Sequence, residues 1–393
     1  MKSFILIIAI GVLLVGGFVL IIDPGSRWHN STPLFSRELD KDEVRIYPKN
    51  FDERTAKISH LKFIDSPQIL FLGSSRVLLV SSDMFDSNVK FFNGGMSTAI
   101  VEDFIAIWQT LKELKKTPSQ VVIFIDPWLF NVSANKGLIG WNKIGTYVER
   151  FYEGKGVIFS YGVFTQSGSS LTLRDKLFWI FNSVRTTKDH LYSNFVDFMQ
   201  ILSWPMLKEA SKIFLRKGMS TVPVIVNKAQ MRPTDMGGLR DGSIIYPVSE
   251  TVPKTKITLD NMARESAATP PYLDRWETDK GASQKLSLLL EDMTATGAKV
   301  LVVSPPFYPL YVELVNQKTG YSNVFSQAEE ILRKSFEKKP NVGYCDARKL
   351  DTLKCQGTEM MDVHHMLKPC VQKLLKYCLT EGDWSHLLSE GLH

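Results

Sequence analysis

A serine hydroxyl becomes a nucleophile when a base takes its proton and a carboxylate fixes the tautomer of that base. This sequence holds the three residue types where such a partnership can form. Ser75 closes the triplet Gly73-Ser74-Ser75 directly behind the apolar run Ile69-Leu70-Phe71-Leu72. Near the other end, Asp362-Val363-His364-His365 sets an aspartate three residues before a histidine, so both can turn toward one sheet edge. A Gly-Ser-Ser triplet alone is an ordinary turn. It gains meaning from the strand before it, because open parallel sheets place their chemistry at the carboxyl ends of strands.

The elements that must position these residues follow from hydrophobic pattern. Ile69 to Leu72 is a buried strand, and Val89 to Phe92 is a second, followed by Asn93-Gly94-Gly95. Ile100, Phe104, Ile107, Trp108, Leu111 and Leu114 recur at helical spacing, which predicts a helix opening near Ser97-Thr98 with either residue as its cap. Val121 to Ile125 is a third strand and leads into Asp126-Pro127. After a long irregular middle, a helix at Gln284 to Met293, a strand at Lys299 to Val303, a helix at about Asn323 to Lys338, a strand at Val342 to Cys345 and a helix at about Met366 to Leu379 restore the rhythm. Apolar strands alternating with helices predict an α/β fold with a three-layer, doubly wound parallel sheet.

Read together, these blocks resemble the SGNH (GDSL-like) hydrolase superfamily over about residues 65 to 380. Gly73-Ser74-Ser75 looks like its first block, whose third position is the nucleophile. Asn93-Gly94-Gly95 looks like its second, where a glycine amide lines the oxyanion hole, and the Asn-x-Gly spacing points to Gly95. Asp362 and His365 match the closing Asp-x-x-His block as orienting residue and base. The resemblance implies an oxyanion hole formed by the amides of Ser75 and Gly95. The third block departs from the family's Gly-x-Asn-Asp, reading Ile125-Asp126-Pro127-Trp128, so the side-chain donor is in doubt and Asn131 is the nearest substitute. Arg76, Asn93 and Asp126 are candidate substrate contacts; the other reading of Arg76 is a salt bridge that caps the turn, and that of Asp126 is a strand-end carboxylate bonding backbone amides.

Several neighbours compete for these roles. Ser74 is a second serine in the turn, Gly168-Ser169-Ser170-Leu171 reads like a GDSL block, and Gly95-Met96-Ser97-Thr98-Ala99 imitates a nucleophile elbow but ends in alanine. His364 competes with His365 as base. The His-His pair lacks a third metal ligand, and neither a metal nor a cofactor is expected.

The chain has 393 residues, 44% of them hydrophobic, enough for one large α/β domain with an insertion or for two domains. Its net charge of +6 is scattered rather than gathered into a stripe, which gives no reason to expect nucleic acid as a partner. Residues Phe4 to Ile22 carry no charge. At about 1.5 Å per residue they are long enough to cross a hydrocarbon core of roughly 30 Å. The expected order is an anchor at 1–22 with its amino end cytoplasmic, an approach segment at 23–65, and an extracytoplasmic α/β domain at 66–393 with an insertion at about 132–280. Cys345, Cys355, Cys370 and Cys378 fall near the carboxyl end without a C-x-x-C pair, and an oxidising compartment allows two disulfides in any of three pairings.

The residues thus predict ester chemistry through an acyl-serine, as esterase or O-acyltransferase. Resemblance to membrane-tethered members that transfer D-alanyl groups or acetylate polysaccharides implies an acyl-ester donor, a cell-envelope glycan or polymer acceptor, and an integral-membrane acyltransferase partner. The other class is a non-catalytic, membrane-tethered scaffold that keeps the fold.

Overall fold

The computed structural model describes residues 38–47, 53–132, 145–155, 157–160, 163–166, 224–270, 272–273, 276–318, 323–337, 339 and 341–381, with a few positions between 14 and 18. Among them no helix is long and apolar enough to cross a membrane. The predicted anchor at Phe4 to Ile22 and the Gly168-Ser169-Ser170 decoy lie outside the described residues, save those few positions in the first.

At the centre is a five-stranded parallel sheet. Its strands are β2 (Ile69–Leu72), β3 (Phe91–Asn93), β4 (Gln120–Phe124), β10 (Lys299–Ser304) and β11 (Val342–Asp346), in the order β11-β10-β4-β2-β3. All four pairings are parallel, for example Leu70 opposite Val121 and Val303 opposite Cys345. Side chains alternate across the pleat. Phe71, Val122, Phe124, Leu301 and Val303 enter one core, while Leu70, Leu72, Val121, Ile123, Val300 and Val302 enter the other. The four residues of β2 are all buried, as expected of a strand covered on both faces.

Helices supply the covers. The second core takes α2 (Val101–Glu113), α3 (Gly145–Glu153) and α5 (Lys280–Ala295); the first takes α4 (Lys256–Ala268), α6 (Pro309–Gln317) and α8 (Lys368–Lys376), with α7 (Val324–Phe336) contributing to both. Helix α2 opens three residues later than predicted, and neither Ser97 nor Thr98 caps it. Thr98 has φ 51°, in the left-handed region, and the Ser97 amide donates instead to Glu53 Oε2 at 2.8 Å. The N-cap position is Ile100, whose amide donates at 3.0 Å to the carboxylate of Asp103 in the first turn, itself held by Arg54.

Two elements occupy the approach segment, β1 (Glu43–Tyr47) and α1 (Glu53–His60). β1 pairs on one side with β7 (Val224–Asn227) and on the other with β8 (Met236–Gly238), which in turn pairs with β9 (Ile244–Ile245). β5 (Val157–Ser160) and β6 (Val163–Gln166) form a separate two-stranded antiparallel hairpin. The small antiparallel sheet sits against the free edge of β3: the Asn93 amide donates to the Asp241 carbonyl at 2.7 Å, and the buried Lys57 ammonium bridges the carbonyls of Asn93 and Gly242. Of the three pairings open to the cysteines, the structure has Cys345–Cys378 and Cys355–Cys370.

Candidate active site

In strand order the parallel sheet runs second, first, third, fourth, fifth, and the direction of winding switches between β2 and β4. That crevice is where open α/β sheets bind ligands. The Gly73-Ser74-Ser75 turn emerges there. Its glycine is required by closeness: a Cβ on Gly73 would lie 2.8 Å from Val77 Cγ1 and 3.0 Å from Phe124 Cβ. The chain then tightens into a 3-10 turn at Ser75–Val77, with the Ser74 hydroxyl accepting from the Arg76 amide at 3.3 Å. Ser74 is thereby buried and used as a cap, which leaves Ser75 as the partly exposed serine of the pair.

The partner loop arrives from the far end of the chain. Ser75 Oγ lies 2.7 Å from His365 Nε2, and His365 Nδ1 lies 2.8 Å from Asp362 Oδ2. With Nδ1–H donated to the carboxylate, Nε2 is the acceptor facing the serine hydroxyl. Asp362 also folds its own loop, since Oδ1 accepts from the amides of His364 and His365 at 2.7 and 2.8 Å. Burial alone would raise this carboxyl; the hydrogen bond from the His365 ring, the charge that ring carries when protonated and the two amides overcome that and bring it down to about 2. A disulfide closes the loop around both residues, because Cys355 and Cys370 lie on either side of them.

His364 faces away. Its ring packs edge-on against Tyr311, Phe307 and Trp128, and burial pushes it down to about 4, so it is a neutral packed neighbour.

The candidate substrate contacts are corrected by their partners. Arg76 is buried; it pairs with Asp126 Oδ1 at 2.8 Å, donates from Nε to the His364 carbonyl at 2.9 Å and from Nη2 to the Pro306 carbonyl, and lies 4.0 Å from the Phe307 ring centre. One guanidinium thus ties together the loops after β2, β4 and β10 and the Asp362–His365 loop. Asp126, 3% exposed, is its counter-ion through Oδ1. Asn93 is likewise buried, donating to the carbonyls of Val77 and Val80 at 2.6 and 2.7 Å.

Of the three groups expected to hold an oxyanion, two are already bonded elsewhere. Asn131 is fully buried and faces elsewhere, donating to the Tyr272 carbonyl at 2.9 Å and accepting from the Glu277 amide, so it does not replace the family asparagine. The Gly95 amide donates to Asn93 Oδ1 at 2.9 Å. Gly95 must still be glycine, because a Cβ there would fall 2.2 Å from Val77 Cγ2. The Ser75 amide opens the 3-10 turn and has no acceptor among the described residues, the usual state of a first-turn donor. It is the donor that faces no competition.

Sequence reasoning missed the role of Arg76 and Asp126 as one buried unit. The signal was available, since opposite charges follow two strands that both end in the same crevice. No family model matches this sequence, and no curated protein does either.

Proposed function

We propose that the protein is a serine esterase or O-acyltransferase of SGNH-like type that works through an acyl-serine intermediate. The observation that carries this reading is the relay from Ser75 Oγ through His365 to Asp362 at 2.7 and 2.8 Å, drawn from opposite ends of the chain. Ser75 Oγ attacks the acyl carbonyl carbon as its proton passes to His365 Nε2, and Asp362 stabilises the imidazolium without taking the proton. The tetrahedral oxyanion accepts a hydrogen bond from the Ser75 amide, and from the Gly95 amide once that donor leaves Asn93. His365 then returns the proton to the departing alkoxide as the carbon–oxygen bond breaks. A water or an acceptor hydroxyl, deprotonated by the same imidazole, releases the acyl group and restores Ser75.

The acceptor we favour is a cell-envelope glycan or polymer, reached from an extracytoplasmic position by a protein anchored through residues 1–22. An integral-membrane acyltransferase would supply the acyl ester. These assignments rest on the charge-free amino-terminal segment and the sequence resemblance, and the two carboxyl-terminal disulfides are consistent with an oxidising compartment.

A second reading, a tethered scaffold without efficient chemistry, is favoured by the two committed oxyanion donors, Asn131 and Gly95. Loss of one such donor costs on the order of 10²-fold or more in rate. A fluorophosphonate probe separates the readings. Labelling of Ser75, abolished in Ser75→Ala and His365→Ala, is expected for the enzyme, whereas a folded wild-type chain that takes no label would leave the scaffold.

A further inference from the structure

A second compartment opens at the carboxyl ends of β4, β10 and β11, on the other side of Phe307 from the catalytic loop. It encloses about 560 Å³, within the range of small-molecule sites. Its lining is mostly apolar, with Ile125, Phe130, Val312, Phe325 and Leu332 beside Phe307, and Ser304, Asn316 and Ser326 among them.

Four charged side chains line it, Glu329, Asp346, Arg348 and Lys349. Glu329 is held by Arg333 and by the Tyr344 hydroxyl, with Arg348 at 3.8 Å, and Asp346 is paired with Arg348 at 2.5 Å. Both lining acids are therefore covered by arginines. Lys349, which also lines the opening, is exposed and forms no ion pair among the described residues. A mostly apolar chamber with one unpaired cation at its mouth matches a molecule with an apolar body and an anionic head.

We propose that this compartment binds a single-chain anionic amphiphile, its chain against Phe307 and Phe325 and its head beside Lys349. The site does not need the chemistry proposed for Ser75. It does share a wall with it, because the Phe307 ring carries Arg76 on one side and meets the His364 ring with centres 5.8 Å apart. An occupant would bear on the same ring that supports the Asp362–His365 loop.

The test is equilibrium binding of dodecyl phosphate to the full chain in phosphatidylcholine nanodiscs, with empty nanodiscs subtracted and dodecanol and inorganic phosphate as comparison probes. One saturable site is expected. Ala328→Phe, which fills the chamber from α7, should weaken dodecyl phosphate binding by at least about tenfold. Lys349→Glu should weaken dodecyl phosphate while leaving dodecanol unchanged. Ser75→Ala should bind as wild type does, so a chain that labels at Ser75 but binds no amphiphile defeats this inference and leaves the enzymatic one standing. Binding that ignores Lys349→Glu, or inorganic phosphate binding as tightly as dodecyl phosphate, also overturns it. Should Ala328→Phe not fold, a diazirine at the end of the dodecyl chain decides: crosslinks to the peptides bearing Phe307 or Phe325 support the site, and crosslinks elsewhere refute it.

Discussion

Arg76 Nε donates to the backbone carbonyl of His364 at 2.9 Å, so the residue after the candidate nucleophile holds the residue before the candidate base. The two sides of the reacting pair are therefore fixed to each other by a buried cation as well as by the Ser75–His365 bond. Asp126 completes the arrangement by neutralising that cation.

Removing one member of a buried ion pair strands the other. Arg76→Met is expected to cost about 3–5 kcal/mol in urea unfolding, because Asp126 is left charged and without its partner. Arg76→Met with Asp126→Asn should recover much of the stability. It should still label Ser75 more slowly than wild type, since the His364 carbonyl loses its donor. A double variant that labels at the wild-type rate would show that the guanidinium does not position the loop.

Asp362→Asn should slow fluorophosphonate labelling on the order of 10⁴-fold while keeping the fold, the magnitude expected when the orienting carboxylate loses its charge. The carboxyl, brought down to about 2 in the folded protein, also links stability to pH. A depressed carboxyl stabilises the fold above its unfolded value, near 4, and loses that contribution as pH falls through about 2. The stability difference between wild type and Asp362→Asn should therefore be on the order of 2 kcal/mol at pH 5 and shrink below pH 4.

His364 carries the opposite sign. Burial keeps it neutral in the fold down to about pH 4, whereas the unfolded imidazole takes a proton near 6.5. Stability should fall as pH drops from about 6.5 toward 4, and His364→Phe should flatten that part of the profile. Ser75 labelling should survive His364→Phe and vanish in His365→Phe. Loss of labelling in both would return His364 to consideration as the base.

The two disulfides should differ in what they protect. Cys355–Cys370 closes a span of 15 residues, worth about 3 kcal/mol of chain entropy, and Cys345–Cys378 closes 33. Replacing either pair by alanine should cost a similar amount in thermal unfolding. Only loss of Cys355–Cys370 should markedly slow Ser75 labelling at 25 °C, because Asp362 and His365 lie within it.

The parts of the fold legible in sequence are those set by local pattern. β2 and β10 are continuous apolar runs, and the structure places them within one residue of the predicted ends. β3 slips toward its polar end because Asn93 is held by a carbonyl from the small sheet. β1 escapes notice for a related reason: Glu43 to Tyr47 mixes charged and apolar residues, and its partners lie far along the chain, with Glu43 opposite Asn227. Helix α6 is hidden by its own Pro309, which reads as a loop residue but occupies the first turn, where proline is tolerated. In the site, Ser75, Asp362 and His365 are legible because their spacing and strand-end positions suffice. The oxyanion donors are not, since whether Asn131 is available depends on Tyr272 and Glu277, which no motif connects to it.

β1 is bonded along both of its edges, to β7 and to β8, close to where the described body begins. A pull along the chain from the amino side would load those two ladders in shear, many hydrogen bonds at once, rather than peel them one at a time. The sheet so loaded is clasped to β3 through Lys57, Asn93 and Gly242. Such a load would then be borne by the small sheet, and the Ser75 turn would keep its shape until that clasp gave way.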